Sequence, residues 1–462
     1  MNFYSRALKA FEDHLLARDD AGTERRFGEV LEARSHWSKL FGGEKRLVFL
    51  LCRNTTVTLE TYLALAALGH TVALIDAGIS NTLLDGLIAT YKPDFIVDCR
   101  ECPPKIMDGP LPGQVVLHEN LSVLLPTSGS TGAPKFARFS AEQFEANALA
   151  ISEYLQLSYE DRPLLHLPLH YSFGLSIVHS HLVVGGSLEL TDQSLMSRDF
   201  WDRVRNSQVS SLSGVPFHFE ILKRLRIERM DLPRLHTLAQ AGGRLSPKVV
   251  RHFADLAASS GRRFYVMYGQ TEAGPRITYV PPEDIRNKPA SIGIAIPGVS
   301  VDLIDESGTP ITEAGREGEI VCRSKSVMMG YALDASDLAR GDEMHGRLAT
   351  GDMAVRDDDG FLEITGRKSR FVKLQGNRVN LDQVESVLRS KGHEVVCVGE
   401  EDMLWAVMEG QGNAKAARQE AIDTFGFPPR SFSVVSVAEI PRTPSGKVRF
   451  AALLEQLKGD SL

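Results

Sequence analysis

Cysteine is scarce in this chain, with five in 462 residues, and their spacing builds no disulfide framework. The single Cys99-Arg-Glu-Cys102 pair is followed by two prolines and lacks the second pair that a structural zinc site requires. Long apolar runs are missing too. No stretch reaches membrane-spanning length, and the opening segment MNFYSRALKAFEDHLLARDD is polar and amphipathic without a signal-type apolar core, so a cytoplasmic protein is expected. Clusters of positive charge are equally absent. The formal net charge is -7, and no segment supplies the Lys/Arg patch by which phosphate backbones are held, which excludes a general nucleic-acid binder. Nucleotides in small pockets stay open.

What is present is an ordinary globular composition, 43% hydrophobic and 24% charged, in a chain longer than one hydrophobic core usually serves. Short β-branched runs alternate with longer amphipathic ones, which predicts layered α/β architecture. Arg46-Leu-Val-Phe-Leu-Leu-Cys52 reads as a buried strand, Thr56 to Leu68 as a helix, and Thr71 to Ile75 and Asp94 to Val97 as further strands. Leu121 to Leu125 reads as another strand, leading into Pro126-Thr-Ser-Gly-Ser-Thr-Gly-Ala-Pro134, too rich in Gly and Pro for regular structure. Beyond Gly315 the chain turns to charged hairpins, and Glu363 to Lys373 reads as strand, exposed turn, strand. A domain boundary is expected in that turn, giving a large multi-subdomain N-terminal domain over 1–368 and a small α+β domain over 369–462, with a helix near Leu381 to Ser390.

The run Thr127-Ser-Gly-Ser-Thr-Gly-Ala-Pro-Lys135 offers hydroxyls, unhindered N–H groups and one cation, which suits a triphosphate. It is not a Walker A loop, a dinucleotide fingerprint or a nucleophile elbow. On composition alone a flexible surface loop fits as well as a phosphate grip.

Other segments bear on that choice. Tyr268-Gly-Gln-Thr-Glu272, Ala241-Gly-Gly243, Thr350-Gly-Asp352, Gly366-Arg367 and Pro441-Arg-Thr-Pro-Ser-Gly-Lys447 follow in order. Together with the loop, this set resembles the motifs of the adenylate-forming superfamily of acyl-CoA synthetases, luciferases and nonribosomal peptide adenylation domains. The resemblance implies an α/β enzyme with a mobile C-terminal domain, using ATP and Mg²⁺ to convert a carboxylic acid to acyl-AMP and pyrophosphate. A thiol then takes the acyl group after a large rotation of the small domain.

Carried over by motif, Thr127, Ser128, Gly129, Ser130, Thr131, Gly132 and Lys135 would hold phosphates. Ala241, Gly242, Gly243, Tyr268, Gly269 and Gln270 would face the adenine side, and Asp352 the ribose hydroxyls, with Arg367 a cation nearby. Lys447 would bridge acid and α-phosphate, Thr271 would add a hydroxyl there, and Glu272 would hold Mg²⁺ as a hard oxygen ligand. Lys373 would serve the second half-reaction, and Gly376 would line the thiol tunnel. At the hinge position, where relatives often carry Asp or Lys, this chain has Ser369.

Leu167-Pro-Leu-His-Tyr-Ser-Phe-Gly-Leu-Ser176 resembles the family's gate and pocket segment, with His170 as gate and Phe173, Gly174, Phe217 and His218 as pocket candidates; ordinary packing suits these side chains equally. Amino-acid-activating members place an aspartate at the position of Gly174. A buried ammonium without a carboxylate is costly, so a non-amino-acid substrate is expected, and the pocket segment looks closest to acyl- and aryl-CoA ligases. The acceptor stays open between CoA and the phosphopantetheine of an acyl or peptidyl carrier protein. An AMP-forming amide or ester ligase, and a catalytically silent nucleotide-binding scaffold of the same fold, are the alternative readings.

Overall fold

A computed structural model describes residues 1–127, 135–368, 370–374, 377–400, 402–410, 412–442 and 448–459. They group into two compact units, one of residues 1–301 with 322–348, the other of 302–321 with 349–462.

The first unit is built on two large sheets. One orders its strands 330–332, 135–140, 121–127, 71–76, 47–52, 95–98, 105–108. Its four central strands are parallel, and antiparallel strands close both edges. Leu47–Cys52 is buried along its whole length, which is why it reads as an unbroken apolar run and does not alternate. The helix Thr56–Leu68 follows because Thr55 caps it, accepting from the Thr58 N–H, and Gly69 ends it in the left-handed region at φ 88°. The strand and helix expected from the sequence therefore appear within a residue or two of their forecast limits. Nine strands form the other sheet, in the order 294–295, 278–280, 263–268, 237–240, 211–214, 163–165, 188–190, 15–18, 24–26. The run from 263–268 to 15–18 is parallel. One cluster of buried side chains draws on both sheets and on the helices Thr56–Leu68, Ala141–Leu155 and Ser172–Leu182.

The second unit carries a five-stranded sheet ordered 310–311, 299–304, 318–324, 347–356, 362–367, a two-stranded ribbon, 371–374 with 377–380, and a three-stranded sheet, 396–400, 403–409 and 432–437. Its helix Leu381–Ser390 is capped by the Asn380 side chain. The strands Leu362–Arg367 and Phe371–Leu374 exist as expected but do not form one hairpin: the first pairs with Arg347–Arg356, the second with Asn377–Asn380. Among the described residues no helix is long and apolar enough to cross a membrane, and no group of three or more His, Cys, Asp or Glu is placed to hold a metal ion.

Buried imidazoles are a feature of the first unit. Burial pushes His166 and His179 down to about 3 and His218 to about 4. His70 also falls to about 4, with Lys45 and Arg46 adding to its burial. The unfolded chain takes up these protons near pH 6.5 and the folded one only near pH 3 to 4, so the unfolded state binds more protons between those limits. Stability is expected to fall as pH drops from 6.5 towards 4. Melting temperatures at pH 7, 6, 5 and 4 should show that decline, and His179→Gln, which cannot titrate, should make it shallower while the other three histidines keep part of it; a flat profile in the wild type would contradict the assignment.

Candidate active site

The strand Leu121–Thr127 and its antiparallel partner Lys135–Ser140 frame the Gly/Ser/Thr loop, pairing Thr127 directly with Lys135. The Thr127 hydroxyl donates to the Lys135 carbonyl at 3.2 Å, so the base of the loop is fixed. Ser128, Gly129, Ser130, Thr131 and Gly132 lie outside the described residues, as do Ser369, Gly376 and Lys447. Lys373 stands on the strand Phe371–Leu374.

From Lys135 a chain of contacts runs to the Thr-Glu motif. The Lys135 ammonium sits 3.5 Å from the centroid of the Tyr331 ring, a cation–π geometry. The Tyr331 hydroxyl donates to Glu272 Oε1 at 2.6 Å. Burial, reinforced by the Glu272 carboxylate, holds the Tyr331 phenol well above its ordinary range, so it stays a donor. The Glu272 backbone carbonyl accepts from the Met328 N–H at 2.9 Å. Beside it, the Thr271 hydroxyl meets the Ser172 hydroxyl at 2.9 Å, joining the short 3-10 turn Thr271–Ala273 to the first residue of the helix Ser172–Leu182.

Position is enforced by Arg138, whose side chain is fully buried. Its guanidinium donates to the Tyr331 carbonyl at 3.2 Å and the Gly341 carbonyl at 3.3 Å, also to the Arg340 carbonyl, and pairs with Glu343. The three-residue strand Gly330–Ala332 is thus tied to Lys135–Ser140 by more than its own ladder.

Ala241, Gly242 and Gly243 follow the strand Thr237–Gln240, whose last side chain donates to the carbonyls of Ala241, at 3.2 Å, and Gly243, at 2.9 Å. Gly242 has φ +81°, and a Cβ there would stand 2.6 Å from the Tyr171 hydroxyl, so only glycine admits that approach. Tyr268 ends the neighbouring strand Arg263–Tyr268, with Gly269 and Gln270 leading to Thr271.

Among the pocket candidates, Phe173 is buried on the helix Ser172–Leu182. On the same helix, a Cβ at Gly174 would lie 2.3 Å from the Pro168 carbonyl and 2.8 Å from that of Leu167. No side chain of any charge fits there. His170 has a buried Nδ1 without a hydrogen-bond partner in the described structure, and burial lowers its pKa against the pull of Asp76. His218 packs its ring 4.7 Å from that of His166, while Phe217 is 65% exposed.

In the second unit Asp352 and Arg367 stand opposite each other on adjacent strands. Arg367 Nε donates to Asp352 Oδ1 at 2.9 Å, and Asp352 is 5% exposed against 60% for the arginine. The Thr350 hydroxyl accepts from the Asp352 N–H at 3.1 Å while donating to the Ile320 carbonyl at 3.0 Å. The aspartate is thereby oriented from both sides. Three contributors lie outside the motifs: Arg138, Tyr331 and Arg276. Ser172 lies within the pocket segment but was given no role, and Arg276 could have been noticed as a cation directly ahead of Ile277-Thr-Tyr-Val280.

The layered α/β fold and this cluster at a strand–loop junction describe one class of protein. The profile of the family described as AMP-binding enzyme matches residues 39–332, more than half of the chain, and the chain belongs to that family. It is 28% identical to the indoleacetate–CoA ligase of Aromatoleum aromaticum, over 70% of this chain and 64% of that one. It is 31% identical to a long-chain-fatty-acid–CoA ligase of Salmonella typhimurium, over 62% and 51%. These alignments thus span about half to two thirds of the relatives' lengths. The fold superposes on o-succinylbenzoate–CoA synthetase of Bacillus subtilis, solved with its acyl-adenylate intermediate, at TM-score 0.79, 18% identity and coverage of 99% and 98%.

Arg138→Met leaves several buried carbonyls without their donor, while Glu343 keeps Arg340, and should cost about 3 kcal/mol. Gly174→Ala should cost about 1–3 kcal/mol through the clash with Pro168. Urea unfolding measures both; a loss under about 0.5 kcal/mol in either would refute the packing described.

Proposed function

We propose that this protein activates a carboxylic acid other than an α-amino acid with ATP, forming acyl-AMP and pyrophosphate, and then passes the acyl group to a thiol. The observation that carries this reading is the contact chain from the phosphate loop's base through Lys135 and Tyr331 to Glu272. It sets a cation and a carboxylate, both fixed, beside the loop whose composition suits phosphates.

In the first half-reaction an acid oxygen attacks the α-phosphorus and the bond to the β-phosphate oxygen breaks, releasing pyrophosphate. Two anions must meet, so preorganised cations and donors carry the catalysis. We assign the loop residues Thr127 to Gly132 and Lys135 to the β- and γ-phosphates. Thr271, held by Ser172, is assigned a hydrogen bond to the α-phosphate, and Lys447 the neutralisation of charge between acid and phosphate. Ala241 to Gly243 and Tyr268 to Gln270 are assigned to the adenine, and Asp352, with Arg367, to the ribose.

Glu272 suits Mg²⁺: one oxygen is anchored by Tyr331 and the other accepts no hydrogen bond among the described residues. A lone carboxylate matches an ion that keeps waters and takes its remaining ligands from phosphate. When bound, the ion would screen the phosphate charge.

In the second half-reaction a thiolate attacks the acyl carbonyl and AMP leaves. The segment from residue 369 is read as the domain serving this step, with Ser369 as pivot, Lys373 as its lysine and Gly376 beside the thiol. CoA is the favoured acceptor, supported by the ligase names of the relatives. A carrier-protein phosphopantetheine and an AMP-forming amide or ester product are the variants to try next.

The absence of room at Gly174 supports an acid without an α-ammonium, since no carboxylate can stand there to meet one. His170, Phe173 and His218 are read as pocket lining, and Phe217 as its outer edge.

Acid-dependent exchange of labelled pyrophosphate into ATP tests the first half-reaction across aryl, short-chain, medium-chain and dicarboxylic acids. Exchange is expected for at least one group, falling about 100-fold or more in Lys447→Ala and in Glu272→Gln, with ATP affinity largely kept in Lys447→Ala. ATP binding without exchange for any acid would leave the silent-scaffold reading standing.

A further inference from the structure

Arg276 is 3% exposed and is held quite differently from the other deeply buried arginine, Arg138. Its guanidinium carbon lies 4.1 Å from the centroid of the Phe173 ring, and the phenols of Tyr154 and Tyr171 act on its charge. Its Nε is buried without a hydrogen-bond partner. Among the described residues no carboxylate pairs with it, whereas Arg138 meets Glu343 and several carbonyls. Its backbone carbonyl accepts from Asn147 Nδ2 at 3.2 Å, which fixes the main chain, and Tyr154 is the side-chain hydrogen-bond partner of the guanidinium, which leaves Nε unmet. Burial lowers its pKa, yet a guanidinium stays charged.

A guanidinium out of water is costly unless an anion meets it, and a ring face with a phenol offsets part of that cost. The location indicates where an anion would come from. Phe173, under the guanidinium, directly follows Ser172, whose hydroxyl meets Thr271. Gly174, the next residue on the same helix, leaves its position bare of side chain. The ring beneath the cation therefore belongs to the residue that follows Ser172 on this helix, the serine that holds the Thr271 hydroxyl assigned to the α-phosphate, where the acid reacts.

We propose that Arg276 receives a second anionic group on the acid, so that the substrate is a dicarboxylate. One carboxylate is activated beside Thr271; the other is gripped by the guanidinium fork, with the spacer against Phe173. This rests on the acid-activating reading and adds to it the class of acid. Arg276 would be a specificity residue for substrate binding, since it touches the end of the acid that does not react.

The test compares length-matched pairs in the pyrophosphate exchange: succinate with butyrate, glutarate with valerate, adipate with hexanoate, phthalate with benzoate. Wild type should favour the diacid of at least one pair by about 100-fold in kcat/KM, since a buried cation left unpaired penalises the monoacid. Arg276→Met should abolish that preference, chiefly through KM, and keep or improve the monoacid rate. Arg276→Lys, which keeps charge without the fork, should retain part of it. The melting temperature of Arg276→Met should stay level or rise, because an unpaired buried charge has been replaced by an apolar chain.

Exchange that is indifferent to the second carboxylate in every pair overturns the proposal and leaves the acid-activating reading intact. Equal losses for monoacid and diacid in Arg276→Met, with a lower melting temperature, would make the arginine structural and likewise overturn it. Should no acid support exchange, the activating reading falls, and calorimetry of the same diacids decides the site by itself. Binding to wild type that Arg276→Met loses upholds the anion site, and no binding overturns it.

Discussion

A three-residue edge strand is a weak element, because its ladder offers few hydrogen bonds and one of its sides is open. In this protein such a strand, Gly330–Ala332, carries the tyrosine on which the candidate active site is organised, and what makes it dependable is the buried guanidinium of Arg138. That group reaches the carbonyls of Met329 and Tyr331 and pairs with Glu343, so the strand cannot shift register without stripping a buried cation of its acceptors. The same arginine belongs to the strand that begins at Lys135. One side chain therefore locks together the loop's base and the tyrosine that orients Glu272. The cost of burying the charge is offset by full satisfaction of its donors, and the result is a fixed geometry rather than added stability.

The elements were legible in the sequence where local signals decide them. Leu47–Cys52 is apolar throughout, and Thr55 and Gly69 bracket the following helix with a cap at each end, so both could be read from composition and spacing. Partnership was less visible. Glu363 to Lys373 has the pattern of two strands and a turn, but period-2 alternation identifies a strand and says nothing of what it pairs with. The turn is in fact the point where the chain leaves one sheet for another.

The candidate site divides along similar lines. Motif segments such as Tyr268 to Glu272 and Thr350 to Asp352 are contiguous; the first runs from a strand end into a 3-10 turn, and the second lies within the strand Arg347–Arg356. Tyr331 lies 59 positions from the carboxylate it orients and in no recognisable motif, and Arg138 reaches Glu343 over 205 positions. Contacts at such separations are set by sheet order, which no local pattern encodes. Gly174 shows a third case. Its lack of a carboxylate was visible in the sequence, but not the reason: the carbonyls of Leu167 and Pro168 occupy the space any side chain would need. The absence is imposed by backbone packing, so a point substitution could not restore an ammonium-binding group at this position.

The two buried arginines make the distinction between scaffold and site concrete. Both are removed from water, and elementary electrostatics requires each to be repaid by acceptors. Arg138 is repaid within the protein, by carbonyls and a carboxylate, and its role ends with the fold. Arg276 has a ring face and phenols but no anion among the described residues, and its Nε is one of the buried polar atoms left without a hydrogen-bond partner there. Folded proteins keep very few buried polar groups unsatisfied without a functional reason. An open valence next to the helix that presents Ser172 to Thr271 is best understood as completed by the ligand, and the charge it demands narrows the acid in a way the motifs, which recur across acids of many kinds, cannot.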